Sequence, residues 1–199
     1  DAPFVYRQED GTPSGILVSI LDDFADKTGV SFHYTFCDSR SEAADILKNG
    51  SSDLLIGLPM TSDSCAELGF IKSAPVIGSM MAYVQKPTAA RTEGGTAAIV
   101  RGLEELADTT QFDATILYDT AAECLDAVEG KVADFAVGNR SVMEYYIYDM
   151  GSTLVTSMIP GLTQNVSICV SRGCDTVLLT ALNNYLYSMS EADLAAYLS

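Results

Sequence analysis

The sequence predicts an α/β fold built from two similar lobes. Helical and strand-like patterns alternate along most of the chain, which is typical of βα units around parallel sheets. A helix that ends in glycine and leads into an Asp-apolar strand occurs twice, as EAADILKNGSSDLLIG and as ECLDAVEGKVADFAVG. Between the two copies lies QKPTAARTEGG, a polar segment whose proline and glycines fit a crossing from one lobe to the other.

In the first half, helices are followed by strand-like segments. Residues 16–29 place apolar side chains at helical spacing and end on Gly29, so they predict an amphipathic helix. VSFHYTF alternates apolar with polar residues and predicts a half-buried strand over 30–36. DSRSEAADILKNG predicts a short helix, and the apolar run DLLIGL predicts a strand of a parallel sheet covered on both faces.

The second half repeats this order. TAAIV, ATILY and DFAVG predict strands, while GLEELAD and TAAECLDAVEG predict helices. SMMAYV and NVSICVS predict further strands, and TVLLTALNNYLYSM predicts a helix with a broad apolar face. Ser188 and Glu191 resemble a capping box that opens a final helix, SEADLAAYL.

Composition and net charge indicate which kinds of partner the chain does not bind. The chain has 199 residues, 48% of them hydrophobic, and a formal net charge of −16. Such an acidic chain repels nucleic acid, so we expect no nucleic-acid partner. No apolar run approaches the roughly 20 residues of a membrane-spanning helix, so we expect the chain as given to be soluble, with any targeting or anchoring segment outside it.

The reactive residue types do not form a familiar catalytic or metal site. Five cysteines and one histidine leave few zinc ligands, so we predict neither a metal nor a cofactor. The sequence leaves disulfide pairing open. Without a G-x-S-x-G or phosphate-loop pattern we predict no catalytic residue and no enzyme, although an acid–base pair of Asp119 and Asp134 remains an alternative.

Several phrases resemble the type 2 periplasmic solute-binding family, which includes the amino-acid receptors of bacterial ABC transporters. They are PFVYRQEDGTPSGILVSILDDFADKTG, AADILKNGSSDLLIGLPMT, YDTAAECLDAVEGKVADFAVGN and SICVSRGCDTVLLTALNNYLYSMSEADL, which together cover nearly the whole chain. The resemblance implies two Rossmann-like lobes with mixed, mostly parallel sheets, joined by a two-strand hinge. It also implies the boundaries, namely residues 1–86 plus 170–199 for the first lobe, 92–168 for the second, and crossings at 87–91 and 168–170.

The resemblance further implies a ligand in the cleft, at the carboxyl ends of the strands, and a strand ahead of the aromatic-proline motif. Here Asp1 stands only two residues before Pro3, so we expect a trimmed chain.

Two positions depart from the family's amino-acid receptors. Those receptors hold the ligand carboxylate with the arginine of a Thr-x-x-Arg phrase, and here the phrase Thr61-Ser62-Asp63-Ser64 puts a serine there. They hold the ligand ammonium with an acid after the second lobe's DFAVG-like strand, and here that residue is Asn139. Each lost charge-assisted bond removes roughly 1.5–3 kcal/mol, so we expect a ligand that is not a typical α-amino acid.

The candidate ligand-binding residues lie at predicted strand ends. They are Phe4, Tyr6, Gly57, Pro59, Met60, Thr61, Ser64, Arg101, Gly102, Asn139 and Arg140. Phe4 and Tyr6 could equally pack in the core, and Arg101 and Arg140 could equally pair with the abundant carboxylates. If both arginines face the cleft, the ligand carries an anionic group. Arg40 is a weaker candidate of the same kind.

The variants IGLPMTSD and AVGNRSVMEYY resemble the solute-binding modules that serve as extracytoplasmic sensors of histidine kinases and cyclic-dinucleotide signalling proteins. The resemblance implies a periplasmic or cell-surface domain, membrane-tethered in the full-length protein. Its partners would be a small-molecule ligand and a membrane signalling module in the same polypeptide. The alternatives are a free-standing receptor that works with an ABC permease and, less favoured, an enzyme of periplasmic-binding-protein type.

Overall fold

The computed structural model describes residues 2–89, 94–174 and 176–197. The strands are β1 Tyr6–Arg7, β2 Pro13–Ser14, β3 Leu54–Leu55, β4 Phe70–Gln85, β5 Thr96–Val100, β6 Ala114–Tyr118, β7 Phe135–Asn139 and β8 Val155–Ser171. The helices are α1 Ile16–Thr28, α2 Arg40–Lys48, α3 Ser62–Glu67, α4 Ala121–Glu129, α5 Arg140–Asp149, α6 Thr176–Ser188 and α7 Glu191–Tyr197. The predicted α/β class is confirmed.

Two compact units share the chain. The inserted unit consists of Gly78–Gln164 with Ala2, and the flanking unit consists of Pro3–Ile77 and Asn165–Ser199. The long strands β4 and β8 both contain residues of each unit. The predicted crossing at 87–91 includes residues 90 and 91, which lie outside the described residues, and the one at 168–170 lies within β8.

A mixed sheet forms the core of the inserted unit, with strands in the order β4-β7-β5-β6. β5 is parallel to both β6 and β7, whereas β4 is antiparallel to β7. All five residues of β7 are buried. α4 begins at a capping box of Thr120 and Glu123 and buries Cys124, Leu125 and Val128. The apolar runs of β5 and β7 therefore form the interior that the sequence predicts.

In the flanking unit, α1 supplies much of the core. Leu17, Ile20 and Phe24 are at most 1% exposed, and the Phe24 ring lies 5.6 Å from the ring of Tyr185 on α6. α1 ends at Gly29, whose φ of 77° is the left-handed conformation expected at a helix end.

The predicted strand over 30–36 is wrong, because residues 30–37 belong to neither a strand nor a helix. Its side chains still alternate between half-buried and exposed. Phe32 packs 6.3 Å from Phe24, and the Tyr34 hydroxyl donates to Asp22 at 2.9 Å. The period of two thus reflects packing on α1 rather than backbone pairing.

DLLIGL contains a much shorter strand than predicted, and this strand pairs with its neighbour in the opposite direction from the predicted one. Only Leu54–Leu55 are in β3, both half-buried, and they pair antiparallel with β8, so the prediction of a covered parallel strand is wrong. Gly57, at a left-handed φ of 85°, turns the chain soon afterwards.

Two smaller predictions are also wrong. GLEELAD forms turns rather than a helix, because Gly102 has a φ of 95° and its N–H is bound by the Glu104 carboxylate. The box that opens α7 is formed by Ser190 and Asp193 instead of Ser188 and Glu191, since the Ser190 N–H donates to Asp193 at 2.8 Å and the Asp193 N–H to Ser190 Oγ at 3.2 Å.

Candidate functional site

Four candidate residues share one edge of the inserted unit's sheet. Arg101 and Gly102 follow β5, while Asn139 ends β7 and Arg140 begins α5. Because β5 and β7 are parallel neighbours, their carboxyl ends meet at the same edge. This is the edge at which open α/β sheets bind small molecules.

Asn139 is buried at this edge, at 4% exposure, in a dense hydrogen-bond network. Its Oδ1 accepts from the backbone N–H of Ser141 at 3.0 Å and of Val142 at 3.4 Å, which makes Asn139 the N-cap of α5. The same oxygen accepts from Ser79 Oγ at 2.8 Å, and Nδ2 donates to Gln164 Oε1 at 2.9 Å. The amide therefore holds the start of α5 in place as well as lying at the candidate edge.

The partners of Asn139 belong to the two long strands. Ser79 lies on β4 and Gln164 on β8, each within two residues of the boundary between the units along the chain. Sequence reasoning missed both residues. The available signal was weak: Ser79 is a polar residue among largely apolar neighbours, whereas Gln164 lies between Thr163 and Asn165, and only the fold brings the two to Asn139.

The two candidate arginines, Arg101 and Arg140, each have a carboxylate partner. Arg101 Nε lies 3.0 Å from Asp119 Oδ1, and Arg140 Nε lies 2.7 Å from Glu144 Oε1. The side chains are 43–57% exposed, and ion pairs this exposed contribute about 0–1 kcal/mol. A role of Arg101 and Arg140 in ligand binding stays a prediction.

Asp119 and Asp134 do not form an acid–base pair. Asp119 follows the carboxyl end of β6, whereas Asp134 precedes the amino end of β7, and both strands run parallel to β5. The two residues thus lie at opposite ends of the strands, five residues apart along the strand direction, which is more than about 16 Å at ~3.3 Å per strand residue. Each also has a partner of its own, since Asp134 Oδ2 accepts from the Thr96 N–H at 2.8 Å.

In the flanking unit, Thr61 and Ser64 organise the start of α3. Thr61 is the N-cap of α3, and its Oγ1 accepts from the Ser64 N–H at 3.1 Å. The Thr61 hydroxyl also donates to Ser64 Oγ at 3.0 Å. Both residues are half-buried. Ser64, the position at which the resemblance expects an arginine, thus carries a hydroxyl that Thr61 holds.

Two cations bind the backbone just before α3. Arg40 Nη1 donates to the Pro59 carbonyl at 3.1 Å, and Lys72 Nζ donates to the Met60 carbonyl at 2.9 Å. Sequence reasoning gave Arg40 a minor place and missed Lys72. A signal was present, because Lys72 is the one charged residue between Glu67 and Lys86.

The remaining candidates of the flanking unit have clear structural roles. Phe4 is buried at 5% exposure, and its carbonyl accepts from the Leu17 N–H at 2.9 Å. Tyr6 is half-buried and pairs with Ser14 between β1 and β2. Gly57 passes so close to Val5 that a Cβ at this glycine would lie 2.1 Å from Val5 Cγ1. Whether any of them contacts a ligand stays a prediction.

The structure also contains a groove that the sequence did not suggest. It has a volume of about 440 Å³ and lies at the C-terminal end of α5, lined by Glu144, Ile147, Tyr148, Gly151, Ser152, Leu154 and Thr156. Asn139 and Arg140 are at the opposite end of α5. Within the described ranges, His, Cys, Asp and Glu side chains form no group of three that could bind a metal ion.

The two α/β units and their discontinuous chain path define a solute-binding protein of the type 2 periplasmic kind. The chain belongs to the bacterial extracellular solute-binding proteins, family 3, whose family model matches residues 1–198. Among curated proteins it is similar to the virulence sensor protein BvgS of Bordetella pertussis, with 26% identity over 207 residues. That alignment covers 100% of this chain but only 17% of BvgS.

Solved structures show the same fold. The periplasmic VFT2 domain of Bordetella pertussis BvgS has a TM-score of 0.85 at 24% identity, over 99% of this chain and 87% of that domain. A histidine kinase sensor domain described as similar to periplasmic binding proteins has a TM-score of 0.81 at 19% identity, over 99% and 90%. Across the described ranges, no helix has the length and apolar character needed to span a bilayer.

Proposed function

We propose that this chain is the extracytoplasmic sensor module of a membrane signalling protein. Its two units would close on a small molecule, and closure would move the chain ends that connect to the rest of the protein. The similarity to the sensor protein BvgS over the whole of this chain supports this proposal. The signalling partner would be a histidine kinase or a cyclic-dinucleotide enzyme in the same polypeptide.

The ligand proposal rests on Ser64 and Asn139, the two uncharged residues at the positions where amino-acid receptors hold their ligand. The Ser64 hydroxyl is bound to Thr61, and the Asn139 amide is bound to Ser79, Gln164 and the start of α5. Neither residue can supply the charge that an α-amino acid needs. We therefore propose a ligand without the paired carboxylate and ammonium of an amino acid, recognised by hydroxyl and amide groups and by Arg101 and Arg140.

A role in transport is the second candidate. In that role an ABC permease would recognise the closed form of the protein. In the sensor role the chain itself would pass the closure on to a signalling domain. The loss of both charged anchors argues against the common amino-acid receptor of that kind. Catalysis is not part of the proposal, because the one carboxylate pair considered from sequence is split between opposite ends of the strands.

A thermal-shift screen of small metabolites tests the binding proposal. A ligand at 100 times its dissociation constant stabilises a protein by about 2.7 kcal/mol, which is roughly 5–10 °C for a chain of this size. The proposal expects such a shift with a compound that is not an α-amino acid. It expects the shift to weaken in the Arg101→Ala/Arg140→Ala variant, and an unchanged affinity there would remove the two arginines from the site.

The sequence on either side of this chain decides between the two roles. Flanking transmembrane helices with a kinase or cyclase domain fit the sensor. A lipoprotein signal beside a permease gene would overturn it in favour of transport.

A further inference from the structure

Two cysteines that are distant in sequence meet in the core of the flanking unit. Cys65 on α3 and Cys169 on β8 are separated by 104 residues, yet their sulfur atoms lie 2.8 Å apart. Both are buried, at 0% and 4% exposure, in a cluster with Met60 and Phe70. A disulfide has an S–S length of ~2.05 Å, so the two sulfurs need to approach by less than ~1 Å to bond.

We propose that Cys65 and Cys169 form a disulfide bond in the mature protein. The inference rests on the proposed extracytoplasmic location, because the compartments outside the bacterial cytoplasm are oxidising and disulfides persist there. The remaining cysteines are placed differently. Cys124 lies in the core of the inserted unit, and Cys37 and Cys174 are half-buried.

The reaction has a defined order. The Cys65 thiolate attacks a partner disulfide, such as that of a dithiol oxidase, and displaces one partner thiolate to give a mixed disulfide. The Cys169 thiolate then attacks Cys65 Sγ and releases the second partner thiolate. Two protons and two electrons leave the cysteine pair as the new bond forms, and the partner disulfide is reduced to two thiols.

The surroundings favour Cys65 as the attacking thiol. Its hydrogen bond with Cys169 lowers the pKa of Cys65 and outweighs the opposing effect of burial, and the charges of Lys72 and Arg172 add to the lowering. The same contact, together with burial, raises the pKa of Cys169. Because α3 spans only Ser62–Glu67, a local opening of that short helix would expose Cys65 to the oxidant.

The bond would have a structural effect beyond its own site. The loop that it closes runs from residue 65 to residue 169 and contains all of Gly78–Gln164, which is most of the inserted unit. The bond would thus join the two chain segments of the flanking unit covalently. It would also fix α3, including the Thr61 and Ser64 pair at the start of that helix.

Peptide mapping under non-reducing conditions tests the proposal directly. Trypsin places each of the five cysteines in a different peptide, with Cys65 in residues 49–72 and Cys169 in residues 141–172. The protein is exported to the periplasm, denatured in iodoacetamide and digested. We expect these two peptides to be cross-linked. Recovery of both as alkylated single peptides, or a link from either cysteine to a third one, would overturn the proposal.

A refolding experiment separates this proposal from the proposed function. The reduced chain is refolded in a glutathione redox buffer, where the pair should form irrespective of cellular location. If the disulfide forms neither in the redox buffer nor after export, the disulfide proposal fails while the binding proposal stands. If it forms in the buffer but not after export, the bond is absent from the mature protein and this proposal fails too.

Thermal melting with matched variants gives an independent readout. Reductant should lower the melting temperature of the native chain by roughly 5–15 °C, as expected for a disulfide that closes a long loop. The variants C65S and C169S should lose this response, and C37S should keep it. A response that persists in C65S would contradict the assignment.

Discussion

Replacing Asn139 with alanine should destabilise the inserted unit more than the loss of an ordinary helix cap. The substitution removes the cap of α5, which is worth about 1 kcal/mol, and two side-chain hydrogen bonds, a buried one to Ser79 and a partly buried one to Gln164, at about 1 kcal/mol each. The sum is roughly 2–4 kcal/mol. With about 2–4 °C per kcal/mol for a chain of this size, the melting temperature should fall by roughly 5–15 °C.

Urea denaturation followed by far-UV circular dichroism measures this free energy. Asn139→Asp is the first control, because its carboxylate still accepts from the N–H groups of α5 and from Ser79, and the Gln164 amide can rotate to donate to it. Asn139→Asp should lower the free energy of unfolding by less than half as much as Asn139→Ala does. Thr120→Ala is the second control, since it removes the cap of α4 at an exposed position and should cost about 1 kcal/mol. A loss below about 1 kcal/mol in the free energy of unfolding of Asn139→Ala would show that the Asn139 side chain does not hold the start of α5.

Two further predictions concern Gly57 and Cys124. In urea denaturation, Gly57→Ala should lower the free energy of unfolding by about 2–4 kcal/mol, because the new methyl group meets Val5 at a left-handed φ. Gly50→Ala is the control: at a φ of 68° with no atom within 4 Å, it should show only the backbone cost of about 1 kcal/mol. Equal losses in the two variants would contradict the predicted clash with Val5. Burial, with the Glu123 carboxylate adding to it, raises the pKa of Cys124 to about 12 from 9.0, so its contribution to stability is fully present below pH 9 and is lost as the pH rises towards 12. Melting temperatures from pH 8 to 12 should therefore fall more steeply for the native chain than for Cys124→Ala, and parallel curves would contradict the shifted pKa.

Much of the fold could be predicted because local pattern and burial agree. α1, α4 and α6 have apolar faces at helical spacing, and β5 and β7 are short apolar runs that the fold buries. The wrong predictions occur where the same sequence pattern can arise from two different structures. The alternation over 30–36 records packing on α1, and a period of two cannot reveal whether the backbone has a partner strand.

The candidate site was predictable in a more limited way. The resemblance to a family identified Ser64 and Asn139 as informative positions, and the idea that the units act as closing lobes stays a prediction. The partners of Asn139 are 60 and 25 residues away in sequence, so the chain alone carries no local signal for them. The same holds for Cys65 and Cys169, whose pairing depends on β8 returning to the flanking unit.

Calorimetric titration with the common α-amino acids measures whether this domain binds them. We expect that it does not, because Ser64 and Asn139 carry no charge at the positions proposed to anchor an amino acid. The native chain should show no binding tighter than about 1 mM, and the Ser64→Arg/Asn139→Asp variant should gain affinity by roughly 100-fold or more, as expected for two charge-assisted bonds. A micromolar dissociation constant of the native chain for any α-amino acid would contradict the account.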